Sequence, residues 1–165
     1  MRVFLSGLLI SLAHIASAGT SYAMQNVVLL QPESVMQPRL EAKALAAYIA
    51  ALDLAAGKVF ATEKYPAAGG FLVVAIRPDR QSAAWLDFRP ALPATADTNI
   101  IARLRAVPAP QVKGGPVVFA IRVSLDGGSL PQDQMMPRPA AWSAEANRAG
   151  QPIEVGDLVE RVWPK

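Results

Sequence analysis

The chain contains no cysteine, and this absence constrains its possible folds more than any other feature of the sequence. Without disulfides or thiolate-bound zinc, a fold must be stabilised by its own hydrophobic core. The 165 residues are 52% hydrophobic, which is enough for one domain with such a core. The single histidine, His14, lies in the amino-terminal apolar segment. We therefore expect no metal, no cofactor, no cysteine nucleophile and no serine–histidine–aspartate triad.

The amino-terminal segment has the pattern of an export signal. An apolar run over 3–13 follows Arg2, and small residues come next. Two triplets fit the small-x-small rule of signal peptidases, Ala16-Ser17-Ala18 and Ser21-Tyr22-Ala23. We expect a signal peptide over 1–23, cleaved after Ala18 or Ala23, and a periplasmic or secreted mature protein. A retained anchor is the alternative, which the shortness of the run disfavours because a membrane-spanning helix needs about 20 apolar residues. Once the signal is removed, we expect no stable membrane span.

The charge of the chain excludes one class of partner. The formal net charge is +3, and the basic residues are scattered rather than clustered. No basic run with interleaved aromatic residues occurs, so nucleic acid is not an expected partner.

The periodicity of apolar residues predicts two helices and three strands. A short segment, 24–37, leads into the domain, and within it 27–30 is either a strand or a clamp onto the body. Apolar residues at helical spacing predict a first helix over 38–60, and a second helix over 97–107 with Asp97 as its N-cap. Strands are predicted at 71–76, 84–88 and 117–123, with a turn at 77–80 that joins the first two as a hairpin.

These elements define the expected fold class. Their order is helix, strand, strand, helix, strand, which is typical of an α+β domain with a small antiparallel sheet of about three strands packed against two helices. We expect this core domain to span 38–128, followed by an irregular C-terminal extension over 129–165. Within the extension, 140–148 is expected to form a short helix and 153–163 a final strand or helix. In the last strand Arg122 and Ser124 lie on the face opposite the apolar residues, which predicts a half-exposed strand.

Acidic residues are the only candidates for catalysis. Glu154, Asp157 and Glu160 are spaced by three, and Asp87 lies between aromatic residues, where desolvation would raise its pKa. On an alternating strand, however, Asp87 is expected to point to solvent. Charged triplets are most often solvated surfaces. We assign no catalytic residue.

The region 65–128 resembles the periplasmic C-terminal domain of TonB-type energy transducers. The elements that match, in order, are Tyr65-Pro66 ahead of Gly70, the strand 71–76, the Pro78-Asp79-Arg80 turn, a second strand, a helix near 95–107, Pro108-x-Pro110 and Gly115-Pro116 before a last strand. In that family the last strand offers its edge to an extended peptide from an outer-membrane protein. The resemblance implies the same role for an edge strand here that includes Val117, Phe119, Ile121, Arg122 and Val123.

The expected function is that of an exported, non-catalytic adaptor of the cell envelope that binds an envelope or outer-membrane protein by strand addition. Coverage of the same edge by the C-terminal extension is an equally good expectation. Two other classes remain open. One is a small periplasmic enzyme that uses Asp87 with a C-terminal carboxylate, and the other is a structural component of an envelope assembly.

Overall fold

The computed structural model describes residues 19–164. The predicted features at His14 and Ala16-Ser17-Ala18 lie outside the described residues. The elements in chain order are β1 (Tyr22–Leu29), α1 (Glu33–Met36), α2 (Ala42–Phe60), β2 (Ala68–Ile76), β3 (Ser82–Arg89), α3 (Ala94–Arg105), β4 (Val117–Leu125), α4 (Ala140–Ala149) and α5 (Val155–Arg161). Among these residues, no helix is both long enough and apolar enough to cross a bilayer.

The strands form one antiparallel sheet in the order β1-β4-β2-β3. The predicted α+β class with a small antiparallel sheet is confirmed, although the sheet has four strands rather than about three. The predicted hairpin is present as β2 and β3, which pair from Gly69↔Arg89 to Ile76↔Ser82. In its turn the N–H of Gln81 donates to Asp79 Oδ1 at 3.1 Å, the local bond that an aspartate at this position favours.

Helices cover both faces of the sheet. On one face α2 and α3 bury a core that includes Leu52, Phe60, Ile100 and Phe119. On the other face α4 and α5 bury a second core with residues Phe71, Trp85, Trp142, Leu158 and Val159. Because both faces are covered, all nine residues of β2 are buried, as its continuous apolar run predicts.

The C-terminal extension is more regular than predicted. The helix predicted over 140–148 is present as α4, and 153–163 contains a helix, α5, rather than a strand, so the extension supplies the second layer. Trp142 of α4 packs edge-on against Trp85 of β3, with ring centroids 5.4 Å apart. The prolines of 129–139 indicate irregular structure because proline suppresses helix formation. Their effect is only local, and the two helices begin beyond them, at Ala140 and Val155.

The helix boundaries also shift. The predicted helix over 38–60 is present as α2 from Ala42, preceded by the short α1. The second predicted helix begins earlier than expected, at Ala94, with Pro93 at its N-cap position. Asp97 therefore lies in the first turn of α3 rather than at the N-cap, and burial raises its pKa from the ordinary value of an aspartate.

Candidate functional site

The strand predicted to be the open edge is inside the sheet. β4 lies between β1 and β2 and pairs with both, so the prediction of an edge strand at Val117–Val123 is wrong. The alternating residues of β4 pack into the core between the sheet and α2, and those in the predicted site are Val117, Phe119, Ile121 and Val123. Both sides of its backbone already belong to ladders, so β4 has no free side for a partner.

The half-exposed face predicted for β4 is also wrong. Arg122 is partly buried and Ser124 is only 7% exposed, because the second layer covers this face. The Ser124 hydroxyl donates to the carbonyl of Gly128 at 2.7 Å, which satisfies it without solvent. Arg122 therefore belongs to the interior of the second layer rather than to a contact surface.

β1 occupies the side of β4 that the resemblance reserves for a partner peptide. The alternative prediction, that the C-terminal extension covers this edge, is wrong as well, since the covering segment is amino-terminal. The sequence allows either a strand or a clamp onto the body over 27–30, and the structure shows a strand, β1. The signal for it is a short apolar run, which has too few residues to identify the partner strand of β1, about 95 positions further along the chain.

The outer side of β1 is an open edge. Leu30 N donates to Val118 O at 3.2 Å, which sets the alternation of the antiparallel ladder. Asn26 and Val28 therefore turn their backbone groups towards β4, whereas Val27 and Leu29 turn theirs outward. None of the eight residues of β1 is buried, and within 19–164 no segment pairs with its outer side.

Two features shape this edge. A β-bulge between Met24 and Asn26 breaks the register, so the regular part of the strand runs from Asn26 to Leu29. Exposed apolar side chains flank it, since Met24 is 42% and Leu29 is 44% exposed. Bulges restrict non-specific pairing, so a partner strand would be held by the short regular segment.

The amino-terminal end of β1 is fixed to the body by side chains. The ring of Tyr22 stacks on Phe60 with centroids 5.4 Å apart, and its hydroxyl donates to Asp53 Oδ1 at 2.7 Å. Burial, and then the hydrogen bond to the Asp53 carboxylate, raise the pKa of Tyr22 well above its ordinary value. Ser21 N donates to Asp126 Oδ1 at 2.7 Å, and Asp126 N donates to Ser21 O at 2.8 Å.

The carboxylate that the sequence singles out is a structural acceptor. Asp87 is 3% exposed, so the expectation that it points to solvent is wrong. Its Oδ1 pairs with Arg89 at 2.8 Å, and its Oδ2 accepts from Gln134 Nε2 at 2.9 Å and from Arg138 N at 2.6 Å. These bonds hold the segment 134–138 against β3. Both oxygens of this carboxylate are therefore occupied by donors of the chain itself.

The carboxylates of Glu154 and Glu160 in the C-terminal extension have different roles. Glu154 accepts from the N–H groups of Gly156 and Asp157 at the start of α5, which is N-capping. Glu160 pairs with Arg77 in an ion pair on the surface. Within 19–164 no group of histidine, aspartate and glutamate side chains is arranged to hold a metal ion.

A shallow apolar groove lies between α2 and α3. It has a volume of about 580 Å³, and its lining includes Leu54, Lys58, Val59, Arg103 and Val107. Leu54 is 61% exposed. The periodicity of the chain gives no signal for this groove, whose lining mixes apolar, polar and charged residues.

Comparison with protein-family models, with curated proteins and with solved structures finds no match. The resemblance to TonB-type domains therefore stays a prediction, and the candidate site rests on the geometry of the sheet.

Proposed function

We propose that this protein is an exported, non-catalytic adaptor of the cell envelope that recognises an extended segment of a partner protein by adding it as a strand to the outer edge of β1. The observation that carries the proposal is the open edge itself. Val27 and Leu29 direct their N–H and C=O groups away from the sheet, which is the template that strand addition uses.

Side chains beside this edge supply apolar contacts. Side chains of an added strand would lie next to those of β1 on the same face of the sheet. The exposed apolar side chains of Met24 and Leu29 would then be covered. A partner segment with alternating apolar residues fits this arrangement better than a highly charged one.

β1 stays in place when the partner binds. Its amino-terminal end is held by the Tyr22 ring on Phe60 and by the paired hydrogen bonds between Ser21 and Asp126. Displacing β1 from β4 would break these contacts together with a ladder that runs from Tyr22 to Leu29. Addition outside β1 leaves them intact, so we place the partner there and not beside β4.

The location in the envelope follows from the sequence. The apolar leader with small residues at its end supports export. The partner class, an envelope or outer-membrane protein with an extended segment, follows from that location and from the resemblance.

The test is a pair of variants at one residue. Leu29→Pro removes the outward N–H that a partner strand needs, and the proline ring blocks its approach. Leu29→Thr changes the same exposed side chain but keeps the N–H. The tagged mature protein and both variants are used to capture partners from solubilised envelope, and hydrogen exchange is then measured on the complex.

We expect Leu29→Thr to capture the same partner as the parent and Leu29→Pro to lose it by tenfold or more. The amides of Val27 and Leu29 should become protected in the parent complex. Equal capture by Leu29→Pro, with a folded far-ultraviolet spectrum, would rule out this edge. Loss of capture on Leu54→Glu instead would move the site to the groove between α2 and α3, as expected for a structural assembly component.

A further inference from the structure

We propose that signal peptidase cleaves the bond between Ala18 and Gly19, so that the mature protein begins at Gly19 and keeps residues 19–23 as part of its fold. Water hydrolyses the peptide bond, leaving a carboxylate on Ala18 and an amino group on Gly19. The inference rests on the proposed export of the protein. It decides between two cleavage positions that the sequence leaves equivalent.

Gly19 is packed so closely that no other residue fits. A Cβ at this position would lie 2.0 Å from the carbonyl oxygen of Ala61, which is the C-cap residue of α2. The α-amino group released at Gly19 therefore lies near the carboxyl end of a long helix, where the helix dipole favours a positive charge. Cleavage at this bond creates that charge in a favourable place.

Thr20 is buried and fully hydrogen-bonded. It is 4% exposed, and its N–H donates to Phe60 O at 2.9 Å and to Glu63 O at 3.1 Å. Its hydroxyl donates to Glu63 O at 2.8 Å and accepts from Tyr65 N at 2.6 Å. A protein without Thr20 would leave the buried N–H of Tyr65 without this acceptor, which is costly.

Cleavage after Ala23 would remove Thr20 and Tyr22 together. The stacked face of Phe60 would be exposed, and Asp53 would lose the hydroxyl that it accepts from. β1 would begin at Met24, next to the bulge, and its pairs with Leu125 and Ser124 would be lost. The new ammonium group would then lie within the ladder rather than at a helix end. The folded protein therefore needs the earlier position.

In the experiment, the full chain is expressed with a C-terminal tag in a bacterial host that has an outer membrane. The protein is recovered from the periplasm, and its main product is identified by intact mass and amino-terminal sequencing. Two matched variants are processed in parallel. Ala18→Leu removes the small residue before the proposed bond, and Ala23→Leu does the same at the other candidate position, where the side chain is exposed.

We expect the parent and Ala23→Leu to give a product that begins at Gly19. Ala18→Leu should accumulate precursor or give a product that begins at Met24 and is less stable to urea. A parent product that begins at Met24 would overturn this inference and leave export intact. A chain that keeps residues 1–18 and stays in the cytoplasm would overturn export as well, which separates the two failures.

Discussion

The sheet ends in two edge strands, and the chain treats them differently. The side chains of β3 are mostly covered, since only Arg89 among its eight residues is exposed. None of the eight residues of β1 is buried. β3 is followed by Pro90, its Phe88 carbonyl accepts from Arg89 Nη1 at 2.8 Å, and the buried Asp87 attaches the segment 134–138 beside it.

An inward-pointing charge, a proline and a covering segment are the devices by which proteins protect an edge from pairing. β3 has the buried charge of Asp87 with the segment 134–138 bonded to it, and Pro90 follows the strand, whereas β1 has only the bulge between Met24 and Asn26. The comparison shows that the two edge strands of this small sheet differ in how exposed their residues are. Because the residues of β1 are more exposed and fewer of these devices lie beside it, the edge of β1 is the better candidate of the two for strand addition.

The largest expected effect separates an inner strand from an edge strand. Ile121→Pro should unfold the domain, because Ile121 is fully buried in β4 and each side of that strand pairs with a neighbour. Leu29→Pro should lower the free energy of unfolding by no more than about 2 kcal/mol, because its N–H points outward. Urea unfolding followed by circular dichroism compares the two variants.

Ile121→Val is the control for the side chain, with an expected loss of about 1 kcal/mol. A folded Ile121→Pro together with an unfolded Leu29→Pro would reverse the assignment of β4 and β1. Ser82→Pro at the start of β3 is not a useful control, because it also changes the hairpin turn.

The hairpin and the two helices were predictable because their signals are local. The turn residues Pro78 and Asp79 lie between two apolar runs, and the spacing of Tyr48 and Leu52 indicates a helix. The neighbour of β4 was not predictable in this way. Which strand lies beside it depends on packing between residues about 95 positions apart, and Val27–Leu30 carries no record of that pairing.

The half-exposed face predicted for β4 was wrong because its cause is also non-local. A strand with apolar residues on alternate positions, such as Val117–Val123, has the same pattern whether its other face meets solvent or a second helical layer. Because Arg122 and Ser124 are polar, the sequence pattern is that of a solvent-facing side, although Arg122 is partly buried and Ser124 is buried. Only the position of α4 and α5 distinguishes the two cases, and prolines obscure that part of the sequence.

A second variant weakens the protection of β3. Asp87→Asn should lower the free energy of unfolding by about 2 kcal/mol, because an amide cannot accept from Arg89, Gln134 and Arg138 as the carboxylate does. Hydrogen exchange should become faster in the segment 134–138. Gln134→Ala removes one donor and keeps the carboxylate, so its expected loss is about 1 kcal/mol or less.

If Asp87→Asn left both the stability and the exchange of 134–138 unchanged, the buried carboxylate would not be what holds this segment over β3. Captured partners should also be the same as for the parent protein, since β1 is untouched. A change of partner in this variant would show that the β3 edge takes part in recognition.

The smallest effect tests the anchor of β1 through pH. The pKa of Tyr22 is raised in the folded protein by burial and by the carboxylate of Asp53, whereas an unfolded tyrosine ionises near pH 10. The stabilisation is therefore fully present below about pH 10 and is lost as the pH rises through the folded pKa. Tyr22→Phe should cost about 1 kcal/mol at neutral pH and flatten the decline of stability above about pH 10.

Two other tyrosines contribute to the remaining slope, since burial also raises the pKa of Tyr48. Burial, and then its bond to Glu63, raise the pKa of Tyr65 to about 12, so Tyr22→Phe should reduce the alkaline decline without abolishing it. Asp53→Asn keeps the ring stacked on Phe60 and removes only the charge, so it should flatten the decline less than Tyr22→Phe does. Urea unfolding at about pH 8 and about pH 11 measures each slope. An unchanged slope in Tyr22→Phe would mean that this tyrosine ionises equally in the folded and unfolded states. The contacts of Tyr22 would then not be the anchor that keeps β1 on β4 while a partner strand adds outside it.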